Sequence, residues 1–150
     1  MLVNKYFYDF LKLSEKYKVR YLIVGGYAFS FYAFPRYSKD LDILIDNQSN
    51  NIEKINHVLA EFDSPYFLNP ADKDIILQLG VGPNRIDIIL IIDNVKFSTA
   101  WEKRIRSLYG DIEANWMGID SLIRSKTNTG KARHDEDVKV LKQIRQKLRS

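Results

Sequence analysis

The sequence predicts an α/β domain of the α+β kind: a small mixed β-sheet flanked by helices, with further helices at the C-terminal end. Two observations carry that expectation. Short apolar runs that read as strands alternate with stretches of helical periodicity over the first two thirds of the chain, and the last third is helical in pattern. The length, 150 residues, suits one domain, and a chain of this size buries roughly 68 to 70% of the surface its unfolded form exposes. The expected division is a core over about residues 1 to 95 and a C-terminal helical part over about 96 to 150 within that single domain.

Taken in order, residues 4 to 18 place Tyr6, Phe7, Phe10, Leu11, Leu13 and Tyr17 at spacings near three and four, the signature of an amphipathic helix. Tyr21 to Val24 is a short strand stopped by Gly25-Gly26. Tyr27 to Phe34 is apolar and aromatic and reads as a buried helix, ended by Pro35, which disfavours helical geometry at the residue before it. Leu41 to Ile45 is a second strand, turned by Asp46-Asn47. Asn50 to Phe62 gathers Ile52, Ile55, Val58 and Leu59 on one helical face. Ile75 to Val81 and Arg85 to Ile92 read as two strands joined by Gly82-Pro83-Asn84 in a hairpin-like connection. Phe97 to Ile105 is expected to be helical, and Ser107 to Trp116 is ambiguous in pattern. Asp120 or Ser121 can cap a helix running to about Thr129, Gly130 stops it, and His134 to Leu148 forms a last helix.

Composition removes several classes of function. There is no Cys, which excludes a disulfide scaffold, thiol catalysis and Cys-based zinc sites. The longest apolar run is far short of the roughly 20 residues a membrane helix needs, and the N-terminus lacks the pattern of a signal peptide. A cytoplasmic location is therefore expected. The formal charge of +4 conceals an asymmetry, because residues 121 to 150 hold nine basic and three acidic side chains, leaving 14 basic and 16 acidic in the first 120. Such a segment can be a solvated helix face or a surface for phosphate-bearing ligands. It contains no Phe, Tyr or Trp, which argues against a base-stacking surface there.

The chemistry concentrates between Tyr21 and Asp46. Asp40 and Asp42 open a strand two residues apart, so both carboxylates leave the same face. Two adjacent anions repel unless a cation lies between them, and oxygen ligands of this kind suit Mg²⁺, which is held by one or two carboxylates plus substrate phosphates. Asp87, inside the apolar run Ile86 to Ile92, is the candidate third acid; the competing reading places it at a strand end or bulge facing solvent. Gly25-Gly26 follow a strand and precede a helix, where the backbone can approach a ligand and free N–H groups face phosphate. His57 and His134 are too isolated to build a metal site and read as structural or exposed.

These residues resemble nucleotidyltransferases of the DNA polymerase β type, and among them the small bacterial AbiEii toxin-family and MNT-like proteins. The resemblance rests on Gly25-Gly26 followed by Arg36-Tyr37-Ser38-Lys39-Asp40-Leu41-Asp42, on Arg85-Ile86-Asp87-Ile88, on Phe97 to Arg104, and on Leu122 through Lys126 to Gly130 and Asp137. It implies the nucleotidyltransferase fold and transfer of a nucleoside monophosphate from an NTP to an acceptor hydroxyl or phosphate, with release of pyrophosphate. It further implies that Asp40, Asp42 and Asp87 are the catalytic acids and hold two Mg²⁺ ions. Gly25 and Gly26 would cradle the terminal phosphates, with Arg36, Ser38 and Lys126 as further nucleotide-binding residues. For Arg36 a second reading stands, as a structural partner of Asp40 or Asp42; for Lys126, as one surface lysine among many. The acceptor is open among RNA, protein and small molecules, and a cognate antitoxin or a second copy of the chain is the expected protein partner, with no membrane. The alternative function is a catalytically weak nucleotide-binding or toxin–antitoxin partner protein of the same fold. The apolar Tyr27 to Phe34 helix, with Trp101 and Trp116 expected at the surface, would support a dimer.

Overall fold

The computed structural model describes residues 3–38, 40–72 and 76–149. Among the described residues, six strands and six helices follow one another. They are α1 (Lys5–Lys16), β1 (Tyr21–Val24), α2 (Gly25–Tyr32), β2 (Asp40–Ile45), α3 (Ser49–Glu61), β3 (Ile76–Leu79), β4 (Arg85–Ile89), α4 (Phe97–Glu102), β5 (Ile105–Tyr109), β6 (Ile112–Trp116), α5 (Ile119–Lys126) and α6 (Ala132–Arg149). The strands form one sheet in the order β3-β4-β2-β1-β6-β5. It is mixed: β1 pairs antiparallel with β2 and parallel with β6, β2 runs parallel to β4, and the hairpins β3–β4 and β5–β6 close the two edges.

The mixed α/β architecture agrees with the sequence, and the differences have local causes. Ser107 to Trp116 is not helical: with Ile105 and Arg106 it forms the β5–β6 hairpin, turned at Gly110, whose φ of +65° suits glycine. The part beyond residue 95 is accordingly not wholly helical, since its hairpin supplies one edge of the sheet. The helix expected over 97 to 105 ends at Glu102, and α2 begins two residues earlier than expected, at Gly25 itself. Trp116 is buried rather than exposed: its indole Nε1 donates to the Ser107 carbonyl at 3.1 Å and its ring stacks on Phe31 at 4.6 Å. Trp101 is half-buried, stacked against Phe97 at 5.7 Å and covered by the Arg104 guanidinium at 3.8 Å.

Because side chains alternate across a strand, each central strand feeds two cores. Tyr21, Ile23, Leu41, Ile43, Ile45, Ile86 and Ile88 face α1 and α3, which contribute Phe7, Phe10, Leu11, Ile52, Ile55, Val58 and Leu59. Leu22, Val24 and Leu44 face the other way, onto Ala28 and Phe29 of α2, Ala100 of α4, Leu122 and Ile123 of α5 and Leu141 of α6. Burial on both faces explains why β1 is apolar throughout. Helix α1 starts at Asn4, whose side chain accepts from the Phe7 N–H. One buried polar residue ties the layers: Asn51 accepts from the Arg20 N–H at 2.8 Å and donates to the Asp46 carbonyl at 2.8 Å, locking α3 to the start of β1 and the end of β2.

Candidate active site

Period-two alternation decides where the acids go. Asp40 and Asp42 share the face of Leu44, the side covered by α2, α4, α5 and α6, and Asp87 stands directly opposite Asp42 in the parallel register of β2 and β4. The three carboxylates each offer an oxygen within 4.8 Å of the others. Asp87 therefore does not face open solvent at a strand end; it is buried in mid-strand.

Charge at this cluster is unbalanced. Burial, followed by the charges of Asp40 and Asp87, pushes the Asp42 carboxyl up to about 7. Burial likewise raises Asp87, against the opposing pull of hydrogen bonding and charge from Arg85. Arg85 is the one cation on the cluster among the described residues, with Nη2 donating to Asp40 and Asp87 at 3.1 Å each. Its Nε lies 3.0 Å from Asp87 Oδ1 but without hydrogen-bond alignment, so that buried oxygen keeps an unfilled acceptor site. Three clustered carboxylates, one guanidinium and an unfilled buried oxygen fit a divalent cation, and an all-oxygen donor set suits a hard one such as Mg²⁺.

The glycines sit against these acids. Gly25 has φ +63°, a conformation L side chains rarely adopt, and a Cβ there would lie 2.3 Å from Asp42 Oδ2. A Cβ on Gly26 would lie 2.8 Å from Ser38 Oγ, and that hydroxyl donates to the Asp40 carbonyl at 3.0 Å. Both glycines thus permit close approach of α2 to the start of β2. The helix has no acid in its first turn and no side-chain cap, so its first N–H groups are free to meet an anion.

Arg36 and Lys126 meet at a different carboxylate. Asp137 of α6 accepts two parallel hydrogen bonds from Arg36 at 2.8 and 2.9 Å and a third from Lys126 at 2.8 Å. Arg36 therefore pairs with neither Asp40 nor Asp42, and Lys126 is not a surface lysine: its side chain is 7% exposed. Both cations stand over the Phe29 ring of α2, at 4.0 and 5.9 Å. Burial alone would raise the Asp137 carboxyl, but the hydrogen bonds from Arg36 and Lys126 hold it down at about 2. His57 is exposed and stacks on Tyr17 at 5.5 Å. His134 pairs through Nδ1 with the Thr129 hydroxyl at 2.8 Å, and burial, with the charges of Lys126 and Lys131, lowers its pKa.

Two neighbours of the site lie within the motifs of the resemblance but carry no role in the sequence reading. Arg85 carries a readable signal, two residues before Asp87 and so on the same strand face. Asp137 as the anchor of Arg36 does not, because 101 positions separate the pair.

The fold that carries this cluster is similar to that of solved antibiotic-modifying proteins. The lincosamide antibiotic adenylyltransferase LnuA, solved with lincomycin bound, is 17% identical, with a TM-score of 0.62 over 95% of this chain and 98% of that one. The antibiotic-resistance factor ANT(2'')-Ia in solution is 11% identical, with a TM-score of 0.57 over 97% of this chain and 90% of that one. Its crystal structure with adenylyl-2''-tobramycin gives 0.54 at 11% identity, covering 95% and 94%. At these identities the likeness establishes the nucleotidyltransferase fold. No protein-family model and no curated protein sequence matches the chain.

Proposed function

We propose that the protein is a metal-dependent nucleotidyltransferase that moves a nucleoside monophosphate from an NTP to an acceptor and releases pyrophosphate. The observation that carries the reading is the convergence of Asp40, Asp42 and Asp87 within 4.8 Å at the N-terminus of an uncapped, glycine-led helix. Asp40, Asp42 and Asp87 would hold Mg²⁺, two ions in the full site. An ion held by these three carboxylates would supply neutralisation of phosphate charge and a lowered pKa for the attacking group.

The chain's own residues have distinct tasks in this scheme. The free N–H groups at the start of α2, with Gly25 and Gly26 keeping side chains out of the way, would donate to the terminal phosphates. Ser38 fixes the backbone of Asp40 and so the direction of its carboxylate. Asp87, whose buried Oδ1 keeps an unfilled acceptor site, would hold the ion that lowers the acceptor's pKa or serve as its base. Lys126 uses one of its three donors on Asp137 and has others for a phosphate oxygen; Asp137 holds Arg36 beside it. Nucleotide-binding roles for Arg36 and Lys126 draw support from this preorganisation.

The neighbours' antibiotic substrates support an acceptor that is a small hydroxyl compound, while RNA and protein are the acceptors the sequence resemblance adds. The AbiEii-like assignment, with an antitoxin or a second copy as partner, draws its support from the sequence motifs alone. Among the described residues no helix is long and apolar enough to cross a membrane. The test is incubation of the protein with α-phosphate-labelled NTPs and a cell extract. Label entering RNA, protein or a small molecule, with pyrophosphate released and both lost in Asp42→Ala, is the expected result; nucleotide binding without transfer to any fraction would favour the catalytically weak binding protein.

A further inference from the structure

A groove of about 950 Å³ runs between α4, α5 and α6, in the helical layer on the acid-bearing face of the sheet. Its lining is strongly one-signed. Lys96 and Lys103 flank α4, Arg124 projects from α5, and Lys142, Arg145 and Arg149 come from α6, against a single carboxylate, Asp120. Arg145 and Arg149 each approach Asp120 at 3.1 Å, so its charge is shared between those two. Lys96, Lys103, Arg124 and Lys142 are exposed and have no carboxylate partner among the described residues. Exposed cations lining one groove with a single acid among them raise the local positive potential, which attracts a polyanion. Thr99 and Asn128 add neutral hydrogen-bonding groups to the lining, and no aromatic ring faces it.

We propose that this groove binds the sugar–phosphate backbone of double-stranded nucleic acid. The spacing suits a phosphate row. Lys142, Arg145 and Arg149 recur at three and four residues, on one face of α6, and span roughly 10 Å at about 1.5 Å per residue. One strand of a duplex presents a phosphate about every 3.4 Å of axis, so about three fall within that length. The absence of stacking rings favours a paired duplex over a splayed single strand, because recognition here is by charge and hydrogen bonds to phosphate. The site shares no residue with the three-aspartate cluster, so it stands or falls separately from the nucleotidyl-transfer reading.

The experiment is fluorescence anisotropy of the full chain with a labelled RNA duplex, the matching DNA duplex, a single strand and phosphatidylserine vesicles, across a salt series without NTP. Duplex binding is expected with a log–log salt slope of about −3.6 to −5.4, from four to six contacts at about 0.9 each. The double charge reversal Arg124→Glu with Lys142→Glu should weaken it at least tenfold and flatten the slope by about 1.8, leaving the NTP-induced melting shift intact. Lys139→Glu, elsewhere on α6, should change little. Tighter binding of the RNA or of the DNA duplex names the source. Bound duplex should also shield Lys96, Lys103 and Lys142 of the unaltered protein from acetylation, read by mass spectrometry. Absence of duplex binding at low salt, a flat salt response, no shielding, equal loss in Lys139→Glu, or preference for the single strand or the vesicles would overturn the proposal.

Discussion

Replacing Asp137 with Asn tests whether the Arg36–Asp137–Lys126 cluster holds α5 and α6 against α2. The carboxylate is 4% exposed and receives three charge-assisted hydrogen bonds of 2.8 to 2.9 Å from cations that are 20% and 7% exposed. Asn keeps the shape but turns one acceptor into a donor pointed at cations, leaving the buried Lys126 and the partly buried Arg36 without a counter-ion. Breaking a buried pair in this way costs about 3 to 5 kcal/mol. Linkage gives a second figure: lowering the carboxyl from 3.8 to about 2 is equivalent to about 2 kcal/mol at neutral pH. An overall loss of about 3 kcal/mol corresponds to about 6 to 12 °C in Tm for a domain of this size. The sign is fixed by the depressed folded-state pKa: the stabilisation is present above the unfolded value near 3.8 and fades as pH falls toward 2. Urea unfolding of both proteins at pH 7 and at pH 3 reads it directly. The gap should be large at pH 7 and smaller at pH 3; a loss under about 1 kcal/mol at pH 7, or a gap independent of pH, would refute the reasoning.

Three further outcomes follow from the acid cluster. Gly25→Ala incurs about 1 to 2 kcal/mol of left-handed strain and drives its methyl into Asp42, so Mn²⁺ binding by calorimetry should weaken at least tenfold. Gly130→Ala, at φ +78° with nothing within 4 Å, should show the strain alone. Arg85→Gln should lower the Tm of the metal-free protein, because three acids lose their counter-ion, while tightening Mn²⁺ several-fold; weaker binding would show that Arg85 assists the metal. The folded-state pKa of Asp42, near 7, lies above its unfolded value. Its contribution to stability is therefore fully present below the unfolded value of 3.8 and lost as pH rises to 7, so metal-free protein should lose stability between about pH 4 and 7. Asp42→Asn should abolish most of that slope, and a slope retained in the variant would place its origin elsewhere.

Much of this site was legible because its logic is local. The period of two that puts Asp40 and Asp42 on one face, and the Gly25-Gly26 stop after an apolar strand, need no tertiary information. That Asp87 lies beside them required parallel pairing of β2 and β4, which the alternation of strands and helices suggests without fixing the register. The hairpin over residues 105 to 116 was illegible for a physical reason. Ile105, Arg106 and Leu108 on edge strand β5 are exposed and Tyr109 is its one buried residue, so a buried face barely marks its period, and the clearest cue is Gly110-Asp111 as a turn. Trp116 looked like a surface residue because the ring that covers it, Phe31, comes from α2, far away in sequence. Arg36 sits four residues before Asp40, yet its partner is on α6; proximity in sequence misleads where a non-helical stretch redirects the side chain.

Thermal unfolding with each NTP, with and without Mg²⁺, decides whether the three aspartates bind the NTP through a metal. A nucleotide at about 100 times its Kd should add roughly 2.7 kcal/mol, seen as a Tm rise of about 5 to 11 °C that requires Mg²⁺ and vanishes in Asp42→Ala. No rise with any NTP, or a rise that persists in Asp42→Ala, would contradict the account.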